Sequence, residues 1–200
     1  SLFLTDSPYL KKFKEERNCV MNNQKSQSLK LAKMAMLVAI SIVLVMVIHF
    51  PIFPMVAFLE YDPADIPILI GTFAFGPGAG ILLTVVVSLL QGLTVSAGSG
   101  VYGIIMHILA TTTLATTAGL IYRKHKTKKT AIFGLIAGTI AMAVVMFFAN
   151  MVITPMFTGM PLAAIMQLMP FILAFNVVKA GINSIVTFIL YKRISPFLHR

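Results

Sequence analysis

The residues of this sequence that could do chemistry interrupt long apolar runs. Asn176, Lys179 and Asn183 lie in the last such run, and Asn150 lies in the run before it. In a helix, the spacing of the first three places them on one face. An ionisable side chain in a membrane segment costs about 2.5–3.5 kcal/mol on insertion scales, so it is a functional candidate by default. The pattern predicts a polar binding site that receives two amides and an ammonium from this face, with Asn150 facing the same cavity.

A structural interpretation competes with this binding site. Lys179 could form an ion pair with Asp65 or Glu60, and the asparagines could hydrogen-bond between helices. For Lys179 alone, both interpretations stay open. For the whole set, a binding site is favoured because unpaired amides in hydrocarbon need partners.

The segment at residues 58–67 mixes aromatic, acidic and proline residues. Its restricted backbone suits a lid over an outward-facing pocket, with Glu60, Tyr61 and Asp62 as candidate ligand contacts. The alternative is an ordinary capped turn, with Asp62 as the N-cap and Pro63 at the first helical position. The two interpretations are compatible because capping leaves Glu60 and Tyr61 free.

The elements that must position these residues follow from composition. Of 200 residues, 58% are hydrophobic and only 11% are charged, with a formal net charge of +10. Soluble domains carry roughly 25% charged residues, so an ordinary soluble enzyme is excluded, and disorder requires low hydrophobicity. The basic residues lie between apolar runs rather than on one face of a soluble domain, so the expected partner is the lipid bilayer and not a nucleic acid.

Six apolar runs predict an all-α membrane protein. A spanning helix needs about 20 apolar residues, and the second run, at about a dozen residues, is short for a span. Basic residues other than Lys179 fall at or before Lys33, within residues 123–129, and at or after Lys192. If these clusters mark the cytoplasmic side, an even number of spans separates them, so the short run must cross and both termini are cytoplasmic. The six predicted runs are residues 31–50, 64–75, 78–96, 100–122, 131–153 and 166–191.

Residues 1–20 differ in composition from the rest, and we interpret them as an upstream extension of a single six-helix domain at residues 21–200. The alternative is a native cytosolic tail. The sequence holds no Gly-x4-Gly-Lys-Ser/Thr loop and no His-Glu-x-x-His motif. Its one cysteine excludes an internal disulfide and a cysteine metal cluster. We therefore expect no ATPase activity, no resident cofactor and no metal site.

A stripe of small residues on the first predicted helix is formed by Ala32, Ala35 and Ala39. Small residues spaced four apart allow another helix to approach closely. The spacing alone does not distinguish a partner protein from packing within the same bundle. Gly134 and Gly138, at the same spacing, indicate close helix packing.

Four motifs in order resemble one family. They are Tyr-Asp-Pro-Ala-Asp-Ile-Pro at residues 61–67, Phe-Gly-Pro at 75–77, Asn150-x-x-x-Thr-Pro, and Phe-Asn176-x-x-Lys179. With the six-span layout, they make residues 21–200 similar to the riboflavin-specific S components of energy-coupling factor (ECF) vitamin transporters. The resemblance implies a bacterial cell-membrane subunit that captures riboflavin from outside, without enzymatic activity of its own.

The resemblance also implies partners and roles. A transmembrane scaffold, the T component, and two cytosolic ATPases would energise release inward, and the alanine stripe would contact the scaffold. Ligand contacts would come from Asn150, Asn176, Lys179 and Asn183, and from residues 60–62. His107 lies where the family leads us to expect an asparagine, so it has no assigned role. The alternatives are an S component for another vitamin such as thiamine, an ion-coupled carrier using Lys179, and an intramembrane hydrolase.

Overall fold

A computed structural model describes residues 8–198, except for the side chains at 8, 10–16, 19 and 194–198. Within this range the chain folds into six α-helices, one two-residue strand pair and two short 3-10 turns at Pro54–Val56 and Ala97–Ser99. The helices and strands, in chain order, are α1 Pro8–Val47, β1 Phe50–Pro51, β2 Glu60–Tyr61, α2 Asp65–Phe75, α3 Pro77–Leu93, α4 Gly100–Lys124, α5 Lys128–Thr158 and α6 Leu162–Leu198.

The six predicted apolar runs each correspond to a helix. Four helices are long and apolar enough to cross a membrane, at Val20–Val47, Ala97–Lys124, Lys128–Thr158 and Leu162–Arg193. The helices α2 and α3 are apolar but shorter. The prediction of an all-α membrane protein is thus confirmed, whereas the crossing of all six helices and the side of each terminus stay predictions.

Helix α1 is longer than the predicted first run. Its residues up to Ala35 belong to one compact unit of the chain, and its residues from Met36 onward belong to a second unit. Part of the predicted extension, from Pro8, is helical, and residues 1–7 lie outside the described residues. The boundary predicted between residues 20 and 21 stays a prediction. The site described below lies within the second unit.

Helix α2 is the short central element of the second unit. It contacts α3, α4 and α6, and every residue from Asp65 to Phe73 is buried. A helix that is apolar around its whole circumference is stable only when other helices surround it. Its eleven residues span about 16 Å, roughly half of a bilayer core. Protein neighbours therefore replace lipid around this short helix.

Helices α4 and α5 pack closely because glycines face the α4 backbone. A Cβ atom added at Gly138 would lie 2.8 Å from the carbonyl oxygen of Leu114, and one added at Gly134 would lie 2.9 Å from that of Ala118. Neither backbone atom can move aside as a flexible side chain could. The predicted role of these two glycines in close helix packing is confirmed.

The segment between α1 and α2 is a folded cap and not an open loop. Its two strands pair antiparallel, Phe50 with Tyr61 and Pro51 with Glu60. Between them, the fully buried Val56 packs against Ile165 and Ile172 of α6. The ends of the segment are thus joined to each other and its centre is fixed to α6, which holds the following acidic residues over the bundle.

Candidate ligand-binding site

A cavity of about 120 Å³ lies beneath the cap at the end of the bundle where α1 meets β1. Its walls come from the cap and from α3, α4, α5 and α6, so four of the predicted spans contribute to it. The polar lining side chains include Glu60, Asp62, Ser88, Gln91, His107, Asn176 and Lys179. The apolar lining includes Phe58, Leu59, Ile104, Met142, Met146 and Phe175. An apolar enclosure with several polar groups is typical of a small-molecule site.

Lys179 forms an ion pair with Asp62. Its Nζ donates to Asp62 Oδ2 at 2.8 Å, and both side chains are buried. The structural interpretation considered from the sequence named Asp65 or Glu60 as the partner of Lys179. In the structure the partner of Lys179 is Asp62. The β1–β2 pair and the packing of Val56 against α6 position Asp62 over the bundle. This contact fixes the cap to α6 by charge as well as by apolar packing.

The surroundings of Asp62 favour its ionised form. Burial of the carboxyl group raises its pKa, but the ammonium of Lys179 and the ring of His107 lower it more, and the resulting pKa of Asp62 is about 2 instead of the ordinary 3.8. The other oxygen of Asp62, Oδ1, accepts from the backbone N–H of Ala64 at 3.1 Å. Asp62 therefore closes a local turn, and Ala64 is the N-cap of α2. The capped-turn alternative named Asp62 as the N-cap; its side chain does accept from a backbone N–H two residues on, while the helix itself has Ala64 at the N-cap position.

A second buried carboxylate, Asp65, lies at the start of α2. Its two oxygens accept from Thr111 Oγ1 at 2.6 Å and from Asn183 Nδ2 at 2.9 Å. Asn183 Nδ2 also donates to the backbone oxygen of Asp62 at 3.1 Å, and the Tyr61 hydroxyl donates to Asn183 Oδ1 at 3.0 Å. Asn183 is fully buried and holds the cap from below. Neither Asn183 nor Tyr61 is among the residues that line the cavity.

The two remaining candidate asparagines bond within their own helices. Asn176 lines the cavity, and its Nδ2 donates to the carbonyl of Ile172 at 2.8 Å. Asn150 is fully buried, donates to the carbonyl of Met146 at 2.7 Å and accepts from Thr154. Asn150 lies one turn beyond Met146, which lines the cavity. Of the predicted site residues, the structure thus brings Glu60, Asp62, Asn176 and Lys179 to the cavity wall.

Two lining residues have polar atoms without a hydrogen-bond partner. Gln91 Oε1 and His107 Nε2 are buried and unpaired in the described part of the chain. His107 Nε2 lies 3.7 Å from Asp65 Oδ1 and 4.0 Å from Asp62 Oδ1, while its Nδ1 shares a 2.7 Å hydrogen bond with Ser88. Buried polar atoms are normally paired, so Gln91 Oε1 could accept a hydrogen bond from a bound ligand, and His107 Nε2 could donate or accept one according to its tautomer.

Comparison with known proteins agrees with this arrangement. The family described as "ECF transporter, substrate-specific component" matches residues 29–191. This chain belongs to that family. A solved structure titled "Structure and mechanism of the S component of a bacterial ECF transporter" is similar with a TM-score of 0.75 and 36% identity, covering 87% of this chain and 99% of that one.

This S component is similar in sequence to proteins that are named as riboflavin transporters. The "Riboflavin transporter RibU" of Staphylococcus aureus is 38% identical over 87% of this chain and 94% of its own length. The "Riboflavin transporter FmnP" of Bacillus subtilis is 26% identical over 86% of this chain and 94% of its own length. Family membership makes the chain a transporter subunit that recognises a substrate, and not an enzyme.

Sequence reasoning missed Gln91 and left His107 without a role. Gln91 interrupts an otherwise apolar run, and a polar residue inside a predicted span is the same signal that selected Lys179. The spacing within α6 placed Asn176, Lys179 and Asn183 on one face, but it did not separate those that line the cavity from the one that holds the cap of this S component.

Proposed function

We propose that this protein is the riboflavin-binding S component of an ECF transporter. The observation that carries the proposal is a buried polar cluster under a folded cap, in a chain 38% identical along nearly its whole length to a relative named as a riboflavin transporter. Riboflavin combines a flat ring, a polar edge that both donates and accepts, and a hydroxyl-rich chain. The cavity offers Phe58, Met142 and Phe175 for the ring face.

The polar groups of the cavity match the polar groups of the vitamin. Asn176 and Gln91 each present an amide, and Lys179 an ammonium. The unpaired atoms of Gln91 and His107 would gain partners when a ligand carrying donors and acceptors enters. We assign direct contact to Asn176, Lys179, Glu60 and Asp62. We assign to Tyr61, Asn183 and Asn150 the support of the wall from which those contacts are made.

The cavity volume implies movement of the cap. Sites that enclose a small molecule have volumes of about 300 Å³ or more, and this cavity measures about 120 Å³. The cap is the wall that can move, because it is joined to the bundle through side chains and not through a continuous helix. Riboflavin entry would shift the cap outward and loosen the contact between Asp62 and Lys179.

The same proposal includes a topology. We propose six spans, with the cap outside and with the α4–α5 connector and both termini in the cytoplasm of a bacterial cell. The connector and the helix ends beside it carry Arg123, Lys124, Lys126, Lys128 and Lys129, and the opposite loops carry no Lys or Arg, in agreement with the positive-inside rule. Arg200, part of the terminal basic cluster, lies outside the described residues.

We further propose that a transmembrane scaffold and two cytosolic ATPases complete the transporter, with the alanine stripe as the docking face for the scaffold. In the first unit Ala32 and Ala35 are exposed, and in the second unit Ala39 is exposed. Helices associate in lipid through close contact at small residues. An exposed small-residue stripe fits a partner helix better than packing inside the bundle.

The test is direct binding by the purified protein. We expect it to carry flavin absorbance after purification and to quench riboflavin fluorescence with a stoichiometry of one, while thiamine has no effect. Thiamine binding without riboflavin binding would assign the chain to another vitamin. For the carrier alternative, liposomes that contain this protein alone would transport ions, and Lys179→Ala would abolish that flux.

A further inference from the structure

A second feature, lined by none of the residues that line the ligand-binding cavity, is an apolar groove between α5 and α6. It has a volume of about 460 Å³ and runs along residues 132–140 of α5 and 177–189 of α6. At 1.5 Å per residue these stretches are about 12 and 18 Å long. The groove is lined by Ile132, Leu135, Ile136, Thr139, Ile140, Val177, Gly181, Ser184, Ile185, Phe188 and Ile189.

Gly181 lies in the α6 wall of the groove. A Cβ atom added at this position would meet no atom within 4 Å, so the missing side chain leaves open space at the α6 wall. The neighbouring Ser184 is buried, and its hydroxyl has no hydrogen-bond partner within the described part of the chain. An open, almost entirely apolar groove that runs along two helices fits a flexible hydrocarbon chain.

A group of four basic side chains, the basic collar (Lys128, Lys129, Lys192 and Arg193), lies at one end of this groove. Lys128 and Lys129 precede Ile132 by four and three residues, and Lys192 and Arg193 follow Ile189 by three and four. Residues three and four apart lie on the same helix face. Because Ile132 and Ile189 both line the groove, both halves of the basic collar project from its faces, and all four residues are exposed.

We propose that the α5–α6 groove binds one anionic phospholipid, with an acyl chain in the groove and the phosphate on the basic collar. Apolar contact alone cannot select this occupant, because lipid tails are as apolar as the groove. The charge provides the selection: basic pockets between transmembrane helices bind acidic headgroups, at about 1 kcal/mol per Lys or Arg. The start of α5 adds the positive end of a helix dipole. This inference does not depend on riboflavin.

The test uses a single tryptophan, since the chain contains none. The full-length protein with Phe188→Trp, in the groove, is reconstituted in phosphatidylcholine bilayers. These contain a small fraction of either brominated phosphatidylglycerol or brominated phosphatidylcholine, which quench a tryptophan that they touch. Phe133→Trp is the matched control, because it is 64% exposed, lies at the same depth and is outside the groove. Ile185→Trp, also in the groove, replaces Phe188→Trp if that variant does not fold.

We expect brominated phosphatidylglycerol to quench the groove reporter more strongly than brominated phosphatidylcholine does, and the two lipids to quench the control equally. Lys192→Gln with Arg193→Gln should lower this preference about thirtyfold, the equivalent of about 2 kcal/mol for the two residues together. Arg123→Gln with Lys124→Gln, at the end of α4, removes the same charge and should leave the preference unchanged.

Filling the groove provides an independent arm of the test. Gly181→Leu leaves the basic collar intact and replaces a poor helix former by a good one, so we expect a folded protein that has lost the preference. Equal quenching of the groove reporter by both lipids would overturn the proposal, since any lipid would then fill the groove. Absence of quenching by either lipid at the groove, with normal quenching at the control, would also overturn it, because protein would then cover the groove.

Discussion

The buried ion pair between Lys179 and Asp62 allows a quantitative prediction. Their charged atoms lie 2.8 Å apart, which corresponds to an attraction of about 6 kcal/mol at an effective dielectric constant of 20, before the cost of removing both groups from water. The substitution Lys179→Met removes the ammonium and leaves the buried carboxylate with the Gln91 amide and the Ala64 backbone N–H. Breaking a buried pair by removing one partner costs about 3–5 kcal/mol, and we expect a loss of that size in the free energy of unfolding.

The assay is a double-mutant cycle. The variants Lys179→Met, Asp62→Asn and the combination of both are unfolded by denaturant in detergent, without riboflavin, and unfolding is followed by circular dichroism. The combined variant removes both charges of this pair, so its loss should be smaller than the sum of the single losses by at least about 2 kcal/mol. Lys192→Met, an exposed lysine of the same helix, should change stability by less than about 0.5 kcal/mol. Additive losses, or a loss below about 1 kcal/mol for Lys179→Met, would refute the reasoning.

The same variants separate fixation of the cap from direct contact with the ligand. If Lys179 and Asp62 only fix the cap, the combined variant should regain riboflavin affinity together with stability. We expect it to regain stability but to keep a weakened affinity, because the ammonium and the carboxylate both line the cavity. Full recovery of affinity would remove both residues from the set of direct ligand contacts.

Further predictions concern packing, assembly and pH. Gly138→Ala should lower the free energy of unfolding by about 1–3 kcal/mol through overpacking against the α4 backbone, whereas Gly78→Ala, which meets no atom within 4 Å, should not. Ala39→Trp should keep riboflavin binding but prevent co-purification with the scaffold, and the exposed α5 control Val152→Trp should co-purify normally. The stability difference between wild type and Asp62→Asn should stay constant from about pH 8 to pH 5. It should shrink as pH falls from about 4 towards 2, because a carboxylate with a depressed pKa contributes stability until it is protonated in the folded state. A difference that already declines near neutral pH would contradict the assigned pKa.

The sequence predicts the helices well because membrane helices are marked by long apolar runs with Gly and Pro at their ends. Gly76 and Pro77 mark the boundary between α2 and α3, and the bounds of the short run predicted at 64–75 agree with those of α2 to within one residue. The start of α1 was not predictable in this way. The helix begins at Pro8, and most residues between Pro8 and the apolar run are polar.

Helical periodicity predicted the α6 part of the site, and the composition of the loop at residues 58–67 predicted Glu60 and Asp62, which line the cavity. The spacing of Asn176, Lys179 and Asn183 fixes a common face whatever the rest of the chain does. The partner of Lys179 depends on how the cap folds, and that depends on contacts between residues far apart in sequence, such as Val56 with Ile165. No pattern along the chain encodes such contacts, and so Asp62 could not be singled out as the partner.

The short helix α2 has a consequence for biosynthesis. Helix α2 has only eleven residues and begins with a buried aspartate. It is therefore too short and too polar at its start to insert stably into lipid by itself, since a stable span needs about 20 apolar residues. The helix contacts α3, α4 and α6, and α6 is synthesised after the other two. The nascent chain must therefore keep α2 sheltered, paired with α3 as a hairpin, until the later helices arrive to enclose it.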